Sequence, residues 1–319
     1  MYHFKNYNRR IMKIINKFLI IFFLIIFNNV NALENKIILK VNNDIITSLD
    51  VLEEINRLKF FNKNLNQLKK EEVYQISLQS VLKYRIKQNE VIKNFKEVKF
   101  DNKDYLNTLI ENTYKNLGFK NLTDFKNELN INKISYELFV EKLKVDILWN
   151  RIIFLKYSDK IIINENELKN QIQNRSTYKR SFELKEIVFS VTNVNDLNSI
   201  YQLIKKDIDE LGFENAAIKH SISNTAKDGG NIGWIDENQL NNEIKETLNE
   251  IPNGTITKPI RIASGFAVLK KINVKKEQNN LDFDQELNEL INFQKQTQLE
   301  NYSNIYFNKV KKDIKINAP

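Results

Sequence analysis

Three of the seven glycines in this 319-residue chain fall within five positions, in Gly229-Gly230-Asn231-Ile232-Gly233-Trp234. Glycine reaches positive φ without a Cβ penalty, so the cluster reads as a backbone requirement for a turn. It lies beyond the point where the hydrophobic period changes. From 47 to 157, apolar residues recur at helical spacing: Leu78, Leu82 and Ile86 at i, i+4 and i+8 within 71–95, Leu106 and Ile110 within 103–117, and Leu138 through Leu155 within 135–157. Thr47 precedes Asp50 by three residues, a capping-box start, and Gly118 sits where a C′ glycine belongs. Ahead of these helices, two apolar runs in 37–46 flank Asn42-Asn43-Asp44, a hairpin signal. A further helix opens at Asn164, with a linker expected over 175–179.

Beyond the linker the pattern mixes. A strand is expected over 182–191, helices over 196–211 and 214–220, a strand at the glycine cluster, a helix over 240–250, and strands over 257–262 and 266–274. Ile251-Pro252-Asn253-Gly254 supplies a turn between the last helix and the strands. This order, β-α-α-β-α-β-β, makes a compact α+β domain. Helix returns over 281–312, and Ile314 and Ile316 can add a short strand. The fold class expected for the whole chain is α+β.

Composition removes several chemistries. There is no cysteine, so disulfides, thiolate nucleophiles and Cys-ligated metals are excluded. The histidines are His3 and His220. Residues 1–32 carry five basic residues, no acid, the apolar run Phe18–Phe27, and Val30 and Ala32 near the exit. That is the layout of a secretory signal peptide, opening at Met1 or Met12, with the mature chain expected to begin near Leu33. Cleavage leaves one histidine, too few for a multi-His metal site, and no stable membrane insertion. The formal charge of +9 includes the five leader charges, so the mature chain keeps about +4, which is no nucleic-acid footprint. No cofactor and no metal are expected. The export signal without cysteine suits a periplasm.

The glycine cluster resembles the Gly-Gly-(Asp/Asn)-Leu-Gly-Trp signature of parvulin-type peptidyl-prolyl isomerases. Four more segments match in order: 183–189 the first strand, Gly212-Phe213 through Ala216, Ala217 and Ser221 the helix that follows, 251–260 the Leu-x-x-Gly-x-(Ile/Val)-Ser-x-Pro segment, and Ser264-Gly265-Phe266 the closing strand. Val41-Asn42-Asn43-Asp44-Ile45-Ile46-Thr47-Ser48-Leu49-Asp50 resembles the opening of SurA-type periplasmic chaperones. The resemblance implies a signal peptide (1–32), a helical N-terminal chaperone module (33–175), one parvulin-like domain (180–275), and a C-terminal helix and strand (281–319) docking on the N-terminal module.

Prolyl isomerisation needs no nucleophile or metal. It needs an apolar cup for proline and hydrogen bonds that favour the twisted amide, against a barrier of about 18–20 kcal/mol. The resemblance places the cup on Leu240 and Ile244, one helical turn apart, with Trp234 beside it. It places the hydroxyl of the polar cluster on Ser264. The family's two histidine positions fall on Glu186 and Ala267, and its Cys/Asp position falls near Ile222, with Ser221 and Ser223 beside it. Glu186, negative at neutral pH, lacks the donor a neutral imidazole offers. The implied function is a periplasmic chaperone for unfolded or extended polypeptides, outer-membrane proteins above all, with weak or no isomerase activity. An active isomerase is the alternative, and a structural helical protein reusing the fold is a third class.

Overall fold

The computed structural model describes residues 35–173, 178–278 and 282–318. The expected signal peptide and most of the expected linker lie outside the described residues. Strand β1 (Ile37–Val41) turns through Asn42, at φ 54°, into β2 (Asp44–Thr47). Thr47 then caps α1 (Ser48–Phe61): its Oγ1 accepts from Asp50 N at 3.3 Å, and its own N–H donates to the Asp50 carboxylate at 2.8 Å. The helices α2 (Lys70–Phe95), α3 (Lys103–Asn116), α4 (Leu122–Ile131), α5 (Tyr136–Tyr157) and α6 (Glu165–Gln173) follow. Gly118, at φ 86°, ends the turn after α3.

The chain then builds a four-stranded antiparallel sheet of order β4-β3-β6-β5. Its strands are β3 (Tyr178–Phe189), β4 (Asn231–Asp236), β5 (Ile260–Ile262) and β6 (Gly265–Gln278). Helices α7 (Leu197–Leu211) and α8 (Phe213–His220) cover one face, where Ile187, Phe189, Ile204 and Phe213 form a core. Helix α9 (Asn242–Glu250) packs Leu248 against Phe182 and Leu184 on the other face. The strand expected over 257–262 is shorter in the structure. It begins at Ile260, because Thr257 meets β6 through its amide and hydroxyl, bonded to Leu269 at 2.8 and 3.0 Å, without a continuous ladder.

The C-terminal helix α10 (Phe283–Asp313) reaches both parts. Near its end, Tyr306, Phe307 and Val310 enter the core of the helical part beside Trp149, Ile152 and Val81. Two buried polar contacts fix this seat: Trp149 Nε1 donates to Ser303 Oγ at 2.8 Å, and the Tyr306 hydroxyl donates to Glu90 at 2.5 Å. Strand β7 (Ile316–Asn317) then pairs with Lys40 and Val41, completing a sheet of order β2-β1-β7. The first and last segments of the described chain thus share one sheet and one core.

One buried charge cluster braces the helical part. Burial opposes ionisation of Glu54, but Arg57 at 2.6 Å and Lys142 at 2.5 Å override it and hold the carboxyl well below the usual carboxylate range. No helix among the described residues is long and apolar enough to cross a membrane.

Because Phe307 is 4% exposed, Phe307→Ala removes a full core contact from α10. A loss of about 3–5 kcal/mol is expected. Urea unfolding followed by tryptophan fluorescence checks it: the midpoint falls while the slope stays unchanged.

Candidate functional site

Strand β3 alternates its side chains between the two faces of the sheet. Leu184, Glu186 and Val188 therefore share the face opposite α7 and α8. Across the ladder, Leu269 stands opposite Glu186 and Ala267 opposite Val188. These residues, with Ile232, Ile235, Leu240, Ile244 and Ile260, line a mainly apolar cavity of about 890 Å³. Leu240 and Ile244 both reach it, but not as one helical turn. Leu240 is extended, after a short turn over Glu237–Gln239, and Ile244 sits in the first turn of α9, where the Asn241 side chain caps its amide at 2.8 Å.

Trp234 corrects the sequence reading. It does not line the cavity, is 42% exposed, and holds the Lys275 ammonium over its ring at 4.8 Å. A bulge is the cause. Gly233 pairs with Leu184 and Asn231 with Lys185, which leaves Ile232 as the extra residue. Ile232 turns into the cavity, and Trp234 pairs with Glu183 on the outer face.

The glycines work as backbone. Gly230, at φ 77°, accepts from the Glu186 amide at 2.7 Å. A Cβ there would lie 2.2 Å from the Glu186 carbonyl oxygen. The signature thus presses the turn onto the strand that carries Glu186.

The polar groups fall differently from the carry-over. Ile222 is packed among apolar residues, Val188, Ile260, Ala267 and Ile244, because its amide donates to Val188 O at 2.8 Å and aligns the segment along β3. The polar role passes to Ser223, whose hydroxyl donates to Glu186 Oε1 at 2.7 Å, and to Thr225, which donates to the same oxygen at 2.9 Å. Ser264 is buried in the β5–β6 turn and donates to Asn301 of α10 at 3.2 Å. Ala267 is buried and supplies only a methyl group. Glu186 was expected to be negative at neutral pH. Burial pushes its carboxyl up, and neighbouring Glu300 adds to this, against the two hydroxyl bonds.

His220 stands apart, ending α8 and bonded to Asp207 of α7, with burial pushing its pKa down. Among the described residues no group of three or more acidic or histidine side chains converges as metal ligands do. Sequence reasoning missed the whole second wall of the cavity, which α10 supplies through Phe293, Gln296, Thr297, Glu300, Asn301 and Asn304. No local signal marks these residues, because Glu300 meets Asn224 across 76 positions of chain.

Residues 190–273 match the Rotamase family model, described as a PPIC-type PPIASE domain. Chaperone SurA of Pseudomonas putida is 27% identical over 162 residues, covering 47% of this chain and 37% of that protein. Chaperone SurA of Pseudomonas aeruginosa is 24% identical over 162 residues, covering 47% and 38%. A solved structure from work on PEB4 and Cj1289, two SurA-like chaperones of Campylobacter jejuni, covers 89% of this chain and 99% of its own at 17% identity, with a TM-score of 0.37. The chain is similar to SurA-type chaperones and carries a parvulin-like domain. It spans little more than a third of the length of the curated relatives it matches. The match begins at 190, so it takes in Ile222, Trp234, Leu240, Ile244, Ser264 and Ala267 but not Glu186.

Gly230→Ala is expected to unseat the parvulin-like sheet, since the clash is with backbone and the φ is positive. A loss of at least ~2 kcal/mol follows, read as a fall in the thermal midpoint, whereas Gly118→Ala, with nothing within 4 Å of its Cβ, loses about 1 kcal/mol from strain alone.

Proposed function

We propose that this protein is a periplasmic chaperone that holds unfolded outer-membrane proteins, and that its parvulin-like domain binds extended prolyl segments while isomerising them weakly or not at all. In this reading residues 33–175 and 281–319 form the chaperone module and 180–275 the parvulin-like domain. The reading rests on one observation above all. The cavity has an apolar cup at Leu240 and Ile244, but Glu186 and Ala267 on its wall and Ile222 packed behind it stand at the positions that, by the family resemblance, would steer a twisting amide. Unfolded barrel strands alternate apolar residues and carry aromatic girdles, so they suit an apolar cup and exposed apolar surface. The helical part shows such surface at Phe154, Leu155 and Ile162, exposed by 55, 63 and 79%.

Two assays separate the classes. Exchange of a prolyl tetrapeptide should stay near its uncatalysed time of about 10–100 s with the wild-type protein and speed up in the Glu186→His, Ala267→His double variant. Aggregation of an unfolded porin should be suppressed by wild type and double variant alike. Leu240→Ala should weaken peptide binding by roughly 1–3 kcal/mol, a modest figure because the residue is only partly buried. Wild-type turnover equal to that of an intact parvulin would replace this reading with an active isomerase. Failure to keep the porin soluble would leave the structural class.

A further inference from the structure

The cavity has two walls from distant parts of the chain. One is the sheet face carrying Glu186, the other is α10. Ser223 Oγ lies 2.7 Å from Glu186 Oε1 and 3.1 Å from Glu300 Oε1 of α10. Thr225 Oγ1 lies 2.9 Å from Glu186 Oε1 and 3.0 Å from Ser223 Oγ. Glu300 is held further by the Asn224 amide at 2.9 Å and its side-chain amide at 2.8 Å.

The protons around Ser223 can be counted. Four oxygen–oxygen contacts join two hydroxyls and two carboxyls, and the hydroxyls bring one hydrogen each. An ionised carboxylate brings none. With both acids ionised, Ser223 donates to one and leaves the other facing a lone pair and a like charge. A proton on Glu186 lets the Ser223 hydroxyl turn from Glu186 to Glu300 and supplies three of the four contacts with a hydrogen: Glu186 donates to Ser223, Ser223 donates to Glu300, and Thr225 donates to Glu186.

We propose that Glu186, Ser223 and Glu300 form a proton-closed latch that holds α10 over the cavity, and that rising pH releases it. The direction of the Glu186 shift agrees, since burial and Glu300 push its carboxyl above its ordinary 4.5. Other charges face the latch. Arg261 of β5 lines the same cavity. Lys87 of α2 reaches Asn224 Oδ1 at 2.9 Å, and Lys83 of α2 reaches Ser221 O at 2.6 Å. The closed state binds one more proton than the open state. Its stability is therefore full below the ordinary carboxyl value and is lost as pH rises through the raised one. What enters the opened cavity rests on the proposed reading of it as a peptide site; the latch itself does not.

Amide hydrogen exchange on the full chain between pH 5 and 8, expressed as protection factors, tests this. Residues 293–304 of α10 should lose protection as pH rises, by up to about tenfold per pH unit across one proton's titration. Glu186→Gln keeps a neutral donor toward Ser223 at every pH and should abolish that slope. A fluorescent prolyl peptide should bind wild type more tightly at pH 8 than at pH 5. Protection independent of pH in wild type, or an unchanged slope in Glu186→Gln, overturns the latch. A moving slope with no peptide bound at any pH upholds the latch and overturns the peptide reading instead. Should Glu186→Gln fail to fold, Glu300→Gln removes the like charge and carries the same expectation.

Discussion

A single helix ties the molecule together. With 31 residues, α10 is about 46 Å long, enough to serve two cores in succession. Its first half brings Phe293 to the apolar group of Phe182, Leu184 and Leu248 in the parvulin-like domain. Its last turns bury Tyr306, Phe307 and Val310 against Trp149 and α2. Glu300 and Asn301 lie between and bond to the parvulin-like domain through Asn224 and Ser264. A shift of α10 therefore cannot stay local. It disturbs a cavity wall at one end and the helical core at the other, because packed interiors do not deform smoothly.

A second interface, on α2, supports the same arrangement with charges. Lys83 donates to the carbonyls of Ile218 and Ser221 at 3.1 and 2.6 Å, at the C-terminal end of α8 where a cation offsets the free carbonyls. Burial pushes this ammonium down to about 7, with Lys311 and Lys87 adding to the effect. Nearby, burial opposes ionisation of Asp146, but Lys87 and Lys227 outweigh it and hold the carboxyl well below the usual range. Lys87 belongs to α2 and Lys227 to the parvulin-like domain, so Asp146 of α5 bridges the two through 3.1 and 3.2 Å contacts. Contacts of this kind are directional and polar, unlike the broad apolar burial within each core. An apolar cluster backs them: Ile218 of α8 is buried with Leu58, Leu65 and Ile76 of the helical part.

Local rules were legible in the sequence wherever the cause was local. The capping box of Thr47 and Asp50, the hairpin at Asn42, the C′ glycine at 118 and the long helical periods depend on neighbours within one turn, and each appears within a residue or two of its expected place. Leu240 was misplaced because an extended residue beside a helix start keeps the same spacing as a helical one. Trp234 was misplaced because a one-residue bulge flips every side chain beyond it. The α10 wall was invisible for a different reason: the helix buries Leu290 near its start and Tyr306, Phe307 and Val310 near its end against different partners, so no single stripe marks the partner.

In the proposed reading, holding a peptide and twisting it make separable demands on the cavity's donors. A transition state for amide rotation gains from a hydrogen bond that the ground state lacks. Beside the cavity, the hydroxyl of Ser223 is shared between Glu186 and Glu300, that of Thr225 donates to Glu186, and that of Ser264 donates to Asn301. Each hydroxyl proton is thus already committed within the protein. A bound peptide that recruited one would leave a carboxyl or amide oxygen unsatisfied, and the exchange would return little of the energy it took. Apolar contact carries no such conflict, since Leu184, Val188, Leu240, Ile244 and Phe293 offer surface to any extended segment of suitable shape. In the proposed reading, the network that latches α10 also withholds the groups that would steer an amide, and the apolar walls are left for binding.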